Sequence, residues 1–282
     1  MYTDRTLKNR SRFSWVRPQI DFLVGPLMIA AATAGNTKRF IATSEYVQNP
    51  NFEDDRKETA LHKAASGGYD EIVQLLLARG ASVEVINGDN DTPLHLAAQN
   101  GHTSTAELLL GKGSLTEVTN EYNNTPLHLA AWSGHTSTVE LLLREGASIG
   151  AINEHKDTPL HLAALGGYID IVGILLGKGA PIEAQNDNGN APIHLAAWYN
   201  RTSTLELLLG EGASIEAMGQ HSNTALHLAI RAGNTGIVEL LLAKGASTEA
   251  MDIYNNTPLD YVARKGQPDI VQLFKNIDTK AV

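Results

Sequence analysis

The sequence has 282 residues, of which 43% are hydrophobic and 19% are charged, a composition that supports a packed globular body and excludes a disordered chain. It contains no cysteine, which excludes disulfides, thiolate metal sites and a cysteine nucleophile. The net charge is −9, and because residues 1–25 hold five basic and two acidic side chains, residues 26–282 carry −12. An acidic body of this kind repels phosphate, which argues against a nucleic acid partner.

The first feature along the chain is the uncharged stretch FLVGPLMIAAATAG at residues 22–35, which follows a basic segment. A basic segment, an apolar run and small terminal residues such as Ala32 and Ala34 are typical of a secretory signal peptide. The uncharged run ends at Thr37 and is too short to predict a membrane span. At this point residues 22–35 are either a cleaved signal or part of the fold.

Seven related segments follow at equal intervals along the sequence, and the interval is the number of residues from Thr59 to Thr92. TALHKAA begins at Thr59, TPLHLAA at Thr92, Thr125 and Thr158, APIHLAA at Ala191, TALHLAI at Thr224 and TPLDYVA at Thr257. A repeat of this length indicates units that stack on their neighbours to cover a shared apolar face.

Each repeat predicts two short helices. Thr92 can cap a helix that begins with the following proline, and Gly101 can end that helix in a left-handed conformation. Ser104 and Glu107 have the spacing of a capping box, which predicts the start of a second helix. The polar stretch that remains connects one unit to the next.

The repeat length and the signature T-P-L-H-x-A resemble the ankyrin repeat family over about nine tenths of the chain. The resemblance implies an all-α fold, an ankyrin repeat solenoid of helix-turn-helix units with β-hairpin-like fingers. It also implies that the signature histidines link neighbouring units by hydrogen bonds and are neither catalytic nor metal-binding: His62, His95, His128, His161, His194 and His227.

The phase of the repeat favours one interpretation of the N-terminal stretch. One repeat interval back from Ala64 is Ala31, so residues 22–35 keep the register of the repeats. Because a cleavable signal has no reason to do so, we favour an N-terminal capping repeat, with helices at 27–34 and 38–46, and an intracellular protein, cytoplasmic or nuclear. The predicted organisation is a basic tail at 1–25 and an ankyrin repeat domain at 26–282, with an N-terminal capping repeat at 26–57, six repeats starting near 58, 91, 124, 157, 190 and 223, and a C-terminal capping repeat at 256–282.

The search for catalytic motifs finds no G-x-S-x-G, no H-E-x-x-H and no phosphate-binding G-x-x-x-x-G-K-[ST]. We therefore expect neither a cofactor nor a metal, and a role without catalysis is favoured.

The variable positions point to a binding surface. In the ankyrin family, partners usually bind the concave surface formed by the fingertips and the exposed side of the first helix. Large apolar residues follow the two signature alanines in three successive repeats, and exposed aromatic side chains of this kind dominate binding hot spots. The predicted partner-binding residues are Trp132, Leu165, Trp198, Tyr199 and Arg231 on the first helices, and Tyr122, His155, Glu121, Glu154 and Asp187 at the fingertips.

Three functions remain open. The favoured one is an adaptor or scaffold that binds another protein, whose basic and apolar segment the fingertip acids would select. The alternative is an enzyme that binds an apolar small molecule in the aromatic groove, with His155 or Asp187 as acid or base and Tyr122 or Arg201 orienting the substrate. Arg201 is considered because it follows Asn200 where other repeats have glycine and then histidine or tyrosine. The third is a structural spacer.

Overall fold

The computed structural model describes residues 17–278. Within this range there are 16 α-helices, one short 3-10 helix and no strand, apart from an isolated β-bridge between Glu53 and Thr59. The predicted all-α class is confirmed. Residues 1–16 of the predicted tail lie outside the described residues.

The helices are numbered in chain order. They are α1 Arg17–Thr33, α2 Thr37–Ser44, α3 Ala60–Gly67, α4 Asp70–Ala78, α5 Pro93–Gln99, α6 Thr103–Leu110, α7 Pro126–Ser133, α8 Thr136–Arg144, α9 Pro159–Gly166, α10 Ile169–Gly177, α11 Pro192–Trp198, α12 Thr202–Gly210, α13 Ala225–Ala232, α14 Thr235–Ala243, α15 Pro258–Lys265 and α16 Pro268–Asp278; the 3-10 helix is Gln220–Ser222.

The chain divides into two compact units. The first unit extends to Leu129 and includes Arg144–Ala147, and the second unit contains Ala130–Leu143 and the chain from Ser148 onward. In the first unit, α1 packs on α2 and α3, and α3 packs on α4 and α5. The second helices of successive repeats, α2, α4 and α6, also pack in series.

The second unit follows the same rule. The first helices α9, α11, α13 and α15 pack side by side, and so do the second helices α10, α12, α14 and α16. Small alanines make the close approach possible, because Ala163, Ala196 and Ala229 are fully buried between neighbouring helices. Each helix pair is therefore covered by the pair that follows it.

The N-terminal helix is longer than predicted. Instead of starting at Leu27, α1 begins at Arg17 and contains Pro26 within its length. Ala31 and Ala32, which the repeat register aligns with a signature alanine pair, are buried. The stretch that resembled a signal peptide thus packs as a first helix against α2 and α3.

The first helices begin and end as predicted. Thr158 is the N-cap of α9, Pro159 is its first residue, and Gly167 ends it in the left-handed region with φ of 81°. In the fifth repeat, Asn200 replaces the glycine and adopts φ of 58°, so the left-handed turn is kept.

The second helices do not begin with the predicted capping box. Helix α6 starts at Thr103, its N-cap is His102, and no side chain caps it, so Ser104 already lies inside the helix. The same is true of α12, which starts at Thr202. The turn between the helices explains the difference, because the amide of His102 already donates to Ala97 O of the preceding helix, at 2.9 Å.

The signature histidines are buried, and His62, His95, His161 and His227 link adjacent repeats. His194 departs from the expectation, because its Nε2 lies 2.9 Å from the carbonyl oxygen of Ala217 in its own repeat. The Thr158 amide donates to His161 Nδ1 at 3.1 Å, and His161 Nε2 lies 3.0 Å from the carbonyl oxygen of Asn190 in the next repeat. His95 makes the same contacts with Thr92 and Asn124. Each ring must be neutral, with its proton on Nε2, to satisfy both partners.

Burial lowers the pKa of five of these rings, although the carbonyl that accepts from Nε2 opposes the shift. The pKa of His95 falls to about 4, and the pKa values of His62, His161, His194 and His227 are also lowered. Desolvation of the charged form explains the direction. These histidines are consequently structural groups held in the neutral state.

The fingers are tight turns built around one amide side chain. In the fourth finger, Asn186 Oδ1 accepts from the amides of Asn188 and Asn190, both at 3.1 Å. Its Nδ2 donates to Asp157 Oδ1, at the end of the preceding finger, at 2.8 Å. A backbone bond of 2.9 Å from Asp187 N to His155 O also joins these two fingertips.

The fifth finger departs from this pattern because Gly219 occupies the position of the asparagine. Without that side chain, the tip forms the 3-10 helix Gln220–Ser222, and His221 takes φ of 58°. The Gln220 amide donates instead to Asn190 Oδ1 at 3.0 Å. A Cβ atom on Gly219 would lie 2.6 Å from the same oxygen, so the close approach requires glycine.

Lowering the pH from 7 to 5 should lower the free energy of unfolding. The unfolded chain protonates its histidines below about pH 6.5, whereas the buried rings of the folded chain have lower pKa values. The unfolded state therefore binds more protons, and stability falls as the pH falls. With its pKa of about 4, His95 alone should contribute about 2 kcal/mol over this interval. Urea unfolding at several pH values measures the effect, and a flat profile would contradict it.

Ala191→Thr should stabilise the fold by about 1 kcal/mol, because it restores a threonine cap to α11. Ala191 has φ −84° and ψ 165°, nearly the values of Thr158, but it offers no side-chain cap. Thr158→Ala is the matched reverse change and should destabilise by a similar amount. Chemical denaturation compares the three proteins, and a destabilised Ala191→Thr variant would show that the site has no room for the cap.

Candidate protein-binding surface

One column of side chains lies at the C-terminal end of the first helices in the second unit. This first-helix column is defined as Trp132, Leu165, Trp198, Arg231 and Arg264, which occupy the same position in five successive repeats. Trp132, Leu165 and Trp198 each directly follow the buried alanine pair of their helix, whereas Arg231 follows the buried Ala229 and Ile230. Because those small residues face the neighbouring helix, the column position is left for other uses.

The aromatic members of the column are solvent-exposed. Trp132 is 50% exposed and Trp198 is 40% exposed, and the adjacent Tyr199 is 46% exposed. Leu165, between the two tryptophans in sequence, is half-buried. The turn after Trp132 contacts the turn after Leu165, because the Tyr168 ring lies against Gly134. Three large apolar side chains in successive repeats thus remain accessible to a ligand.

The tryptophan of the fifth repeat contacts the arginine of the sixth. The Arg231 guanidinium carbon lies 5.5 Å from the centroid of the Trp198 ring and 6.0 Å from that of Tyr261. Both distances are within the range of cation–π attraction. Arg231 therefore has a defined position in the column, held between two aromatic rings.

A carboxylate network below Arg231 was not predicted. Tyr261 Oη donates to Asp252 Oδ2 at 2.7 Å, and the amides of Tyr254 and Asn256 donate to Asp252 Oδ1. Burial raises the pKa of Asp252, but these hydrogen bonds outweigh it and hold the pKa at about 2. The signal in the sequence was the change from the usual repeat: Tyr261 replaces leucine, and Asp252 replaces the finger asparagine.

The predicted fingertip residues of the second unit are held by local contacts. Lys156 Nζ lies 2.6 Å from Asp187 Oδ1, so this acid already has a basic partner. His155 Nε2 lies 3.5 Å from Glu154 Oε1, and both side chains remain exposed. Glu154 is consequently the fingertip acid of this unit that has no lysine or arginine partner among residues 17–278.

Two of the predicted fingertip residues lie in the first unit. Tyr122 is 49% exposed, and the amide of Glu121 donates to the carbonyl oxygen of Asp89 at 3.0 Å. They belong to the same turn type as the other fingers, and their part in binding stays a prediction.

Arg201 performs a role that histidine performs in another repeat. Arg201 Nε donates to the carbonyl oxygen of Leu165 in the preceding repeat at 2.9 Å. His102 Nε2 makes the equivalent contact with Ser66 O at 3.0 Å. Asn234 Nδ2 does the same to Trp198 O. The unusual residue at 201 therefore links two repeats.

The residues considered for catalysis each have a separate partner. His155 lies beside Glu154, Asp187 pairs with Lys156, Arg201 bonds to a backbone carbonyl, and Tyr122 is in the other unit. Within residues 17–278, no group of three or more histidine, aspartate or glutamate side chains could hold a metal ion. No helix in the same range has the length and apolar character needed to cross a membrane.

Comparison with known proteins identifies the family. The model for ankyrin repeats in three copies matches residues 27–121, 80–153, 127–219 and 193–281. The chain therefore belongs to the ankyrin repeat family, and the predicted ankyrin repeat fold is confirmed.

A solved structure supports this. The human ASB11 ankyrin repeat domain is similar, with 29% sequence identity and a TM-score of 0.70, and the match covers 77% of this chain and 98% of that one. A search of curated proteins finds no match.

Arg201→Ala should destabilise the fold by about 1 kcal/mol through loss of the bond to Leu165. Arg201→His should keep most of that stability, because His102 makes the same contact elsewhere. Thermal unfolding of both variants tests this structural role. Equal stability of the alanine variant and the wild type would contradict it.

Proposed function

We propose that this protein is an adaptor or scaffold that binds a protein segment on the first-helix column of its second unit, the face that is concave in ankyrin repeats. Ankyrin repeats generally act as protein–protein interaction modules, and the chain belongs to that family. The observation that carries the specific proposal is the exposure of Trp132 and Trp198 on packed helices.

The energetics favour these two tryptophans as anchors. Tryptophan is enriched among residues that contribute at least about 2 kcal/mol to binding. Trp198 lies on α11, whose buried side packs against α9 and α13, so little conformational entropy is lost when a ligand covers it. The column thus offers a preformed apolar surface.

The spacing of the column sets the form of the ligand. Helices pack about 8–10 Å apart, so Trp132 and Trp198, two repeats apart, should be separated by roughly 20 Å. An extended chain advances about 3.3 Å per residue, so roughly six residues would reach from one tryptophan to the other. An extended segment with apolar residues near both ends of that span fits the surface.

The fingertip acids supply a second, weaker element. Glu154 is exposed, and among residues 21–275 it has an ion-pair contact with His155 alone, so a basic residue of the ligand could pair with it. Asp187 would have to exchange Lys156 for the ligand. Because exposed ion pairs contribute about 0.2–1 kcal/mol, this contact would tune selectivity more than affinity.

Trp132→Ala/Trp198→Ala should weaken binding of peptides selected on the wild-type protein from a random display library. Loss of two anchors of this kind corresponds to a reduction of about 100-fold or more. Fluorescence anisotropy with labelled peptides measures the affinity. The matched control is Tyr46→Ala/Leu115→Ala, which removes two exposed apolar side chains from the first unit.

The outcome separates binding from folding. Urea unfolding first establishes that the double variant remains folded, which we expect because both side chains are exposed. Equal affinity of the tryptophan variant and the wild type would remove the column from the binding surface. Equal losses in both double variants would indicate a general effect of apolar surface.

A further inference from the structure

The first-helix column changes chemical character along its length. Its first three members are apolar, whereas Arg231 and Arg264 are basic, and Lys265 follows directly in sequence. This basic end stands in a body that carries −12 over residues 26–282. The contrast is local, so it would act on a bound segment at one place.

Arg231 is oriented so that its charge can be used. Its guanidinium lies against the faces of Trp198 and Tyr261, at 5.5 and 6.0 Å from the ring centroids. Cation–π attraction does not neutralise the guanidinium charge, so the charge stays available to an anionic group. Among residues 21–275, whose side chains the structure describes, no carboxylate forms an ion pair with Arg231.

The nearby acid Asp252 does not fill this role. Its Oδ1 accepts from two backbone amides, and its Oδ2 accepts from Tyr261 Oη and from Asn256 Nδ2. The carboxylate is buried, with 4% of the residue exposed. Its hydrogen-bonding capacity is used inside the fold, which leaves the charge of Arg231 for a ligand.

A structural role at the helix end accounts for only part of this arrangement. Basic side chains in the last turn interact favourably with the helix dipole, and Arg231 and Arg264 both occupy last turns. The interaction with the helix dipole requires a positive charge but no contact with an aromatic ring. The placement of Arg231 against Trp198, itself the predicted anchor, connects it with the binding surface.

We propose that Arg231 binds a carboxylate side chain of the same protein segment whose apolar residues cover Trp132, Leu165 and Trp198. This inference rests on the proposed function. The helices that carry Trp198 and Arg231 belong to adjacent repeats and should be about 10 Å apart. In an extended segment, the acidic residue would therefore stand roughly three positions from the apolar residue that covers Trp198. Planar guanidinium and carboxylate groups can form two parallel hydrogen bonds in this contact.

The proposal also gives the segment a direction. A basic residue would face Glu154 and an acidic residue would face Arg231, with apolar residues between them. Opposite charges at the two ends would fix the register of the segment along the column.

The test uses peptides selected from a random display library on the wild-type protein. All synthetic peptides are amidated at the C-terminus, so the carboxylate can come only from a side chain. We expect the enriched peptides to share an aspartate or glutamate about three positions from an apolar residue. Replacement of that acid by its amide should weaken binding to the wild type by about tenfold or more.

A double-mutant cycle assigns the effect to one pair. With Arg231→Gln, the same acid-to-amide change in the peptide should alter affinity less than about twofold, because the two changes remove the same contact. Arg231→Lys keeps the charge but loses the planar contact, so it should give an intermediate value. Lys244→Glu is the matched control for a general charge effect, since Lys244 is exposed directly after the second helix α14.

The possible results are distinguishable. Peptides that need Trp132 and Trp198 but show no acid preference, or an acid effect that persists in Arg231→Gln, would overturn this inference and leave the proposed function standing. Peptides that bind independently of both tryptophans, or a selection without any enriched peptide, would contradict the proposed function and this inference together.

Discussion

The structure depends on the inability of one helix pair to cover its own apolar face. Most repeats solve this in the same way: small alanines let first helices approach, and a buried histidine bonds to a carbonyl of the next repeat, as His161 does with Asn190. Because the ring must stay neutral to make both of its bonds, the same contact sets the pH at which the stack weakens.

This framework also determines where a binding surface can exist. Positions whose side chains pack against neighbouring helices are restricted to a few residue types. The positions of the first-helix column face outward and accept any residue type. Tryptophan, leucine and arginine there are not required by the fold, and two tryptophans on the surface are costly to keep exposed to water. Within each repeat, the buried side chains therefore hold the helices in place, and the exposed side chains on those helices form the binding surface.

Local chemistry explains which features could be predicted from the sequence. The Thr158 cap, the left-handed turn at Gly101 and the link from His161 to the next repeat depend on residues close in sequence and on the family signature, and all were predicted. The predicted start of α6 was wrong, because a backbone hydrogen bond from the His102 amide to Ala97 O of the preceding helix replaces the capping box. The contacts of Arg201 with Leu165 and of Arg231 with Trp198 join residues of different repeats. The sequence could therefore indicate that these residues are unusual, but it could not predict which residue each of them contacts.

The central claim is that a ligand covers the first-helix column, and ¹⁹F NMR of protein labelled with 5-fluorotryptophan tests it most directly. Trp132 and Trp198 report from the two ends of the apolar surface, and single Trp→Phe variants assign their resonances. The account predicts that both resonances shift when a library-selected peptide is added to saturation, with the Trp198 shift altered in Arg231→Gln. Saturating binding that moves neither resonance would contradict the account, because the ligand would then lie elsewhere on the protein.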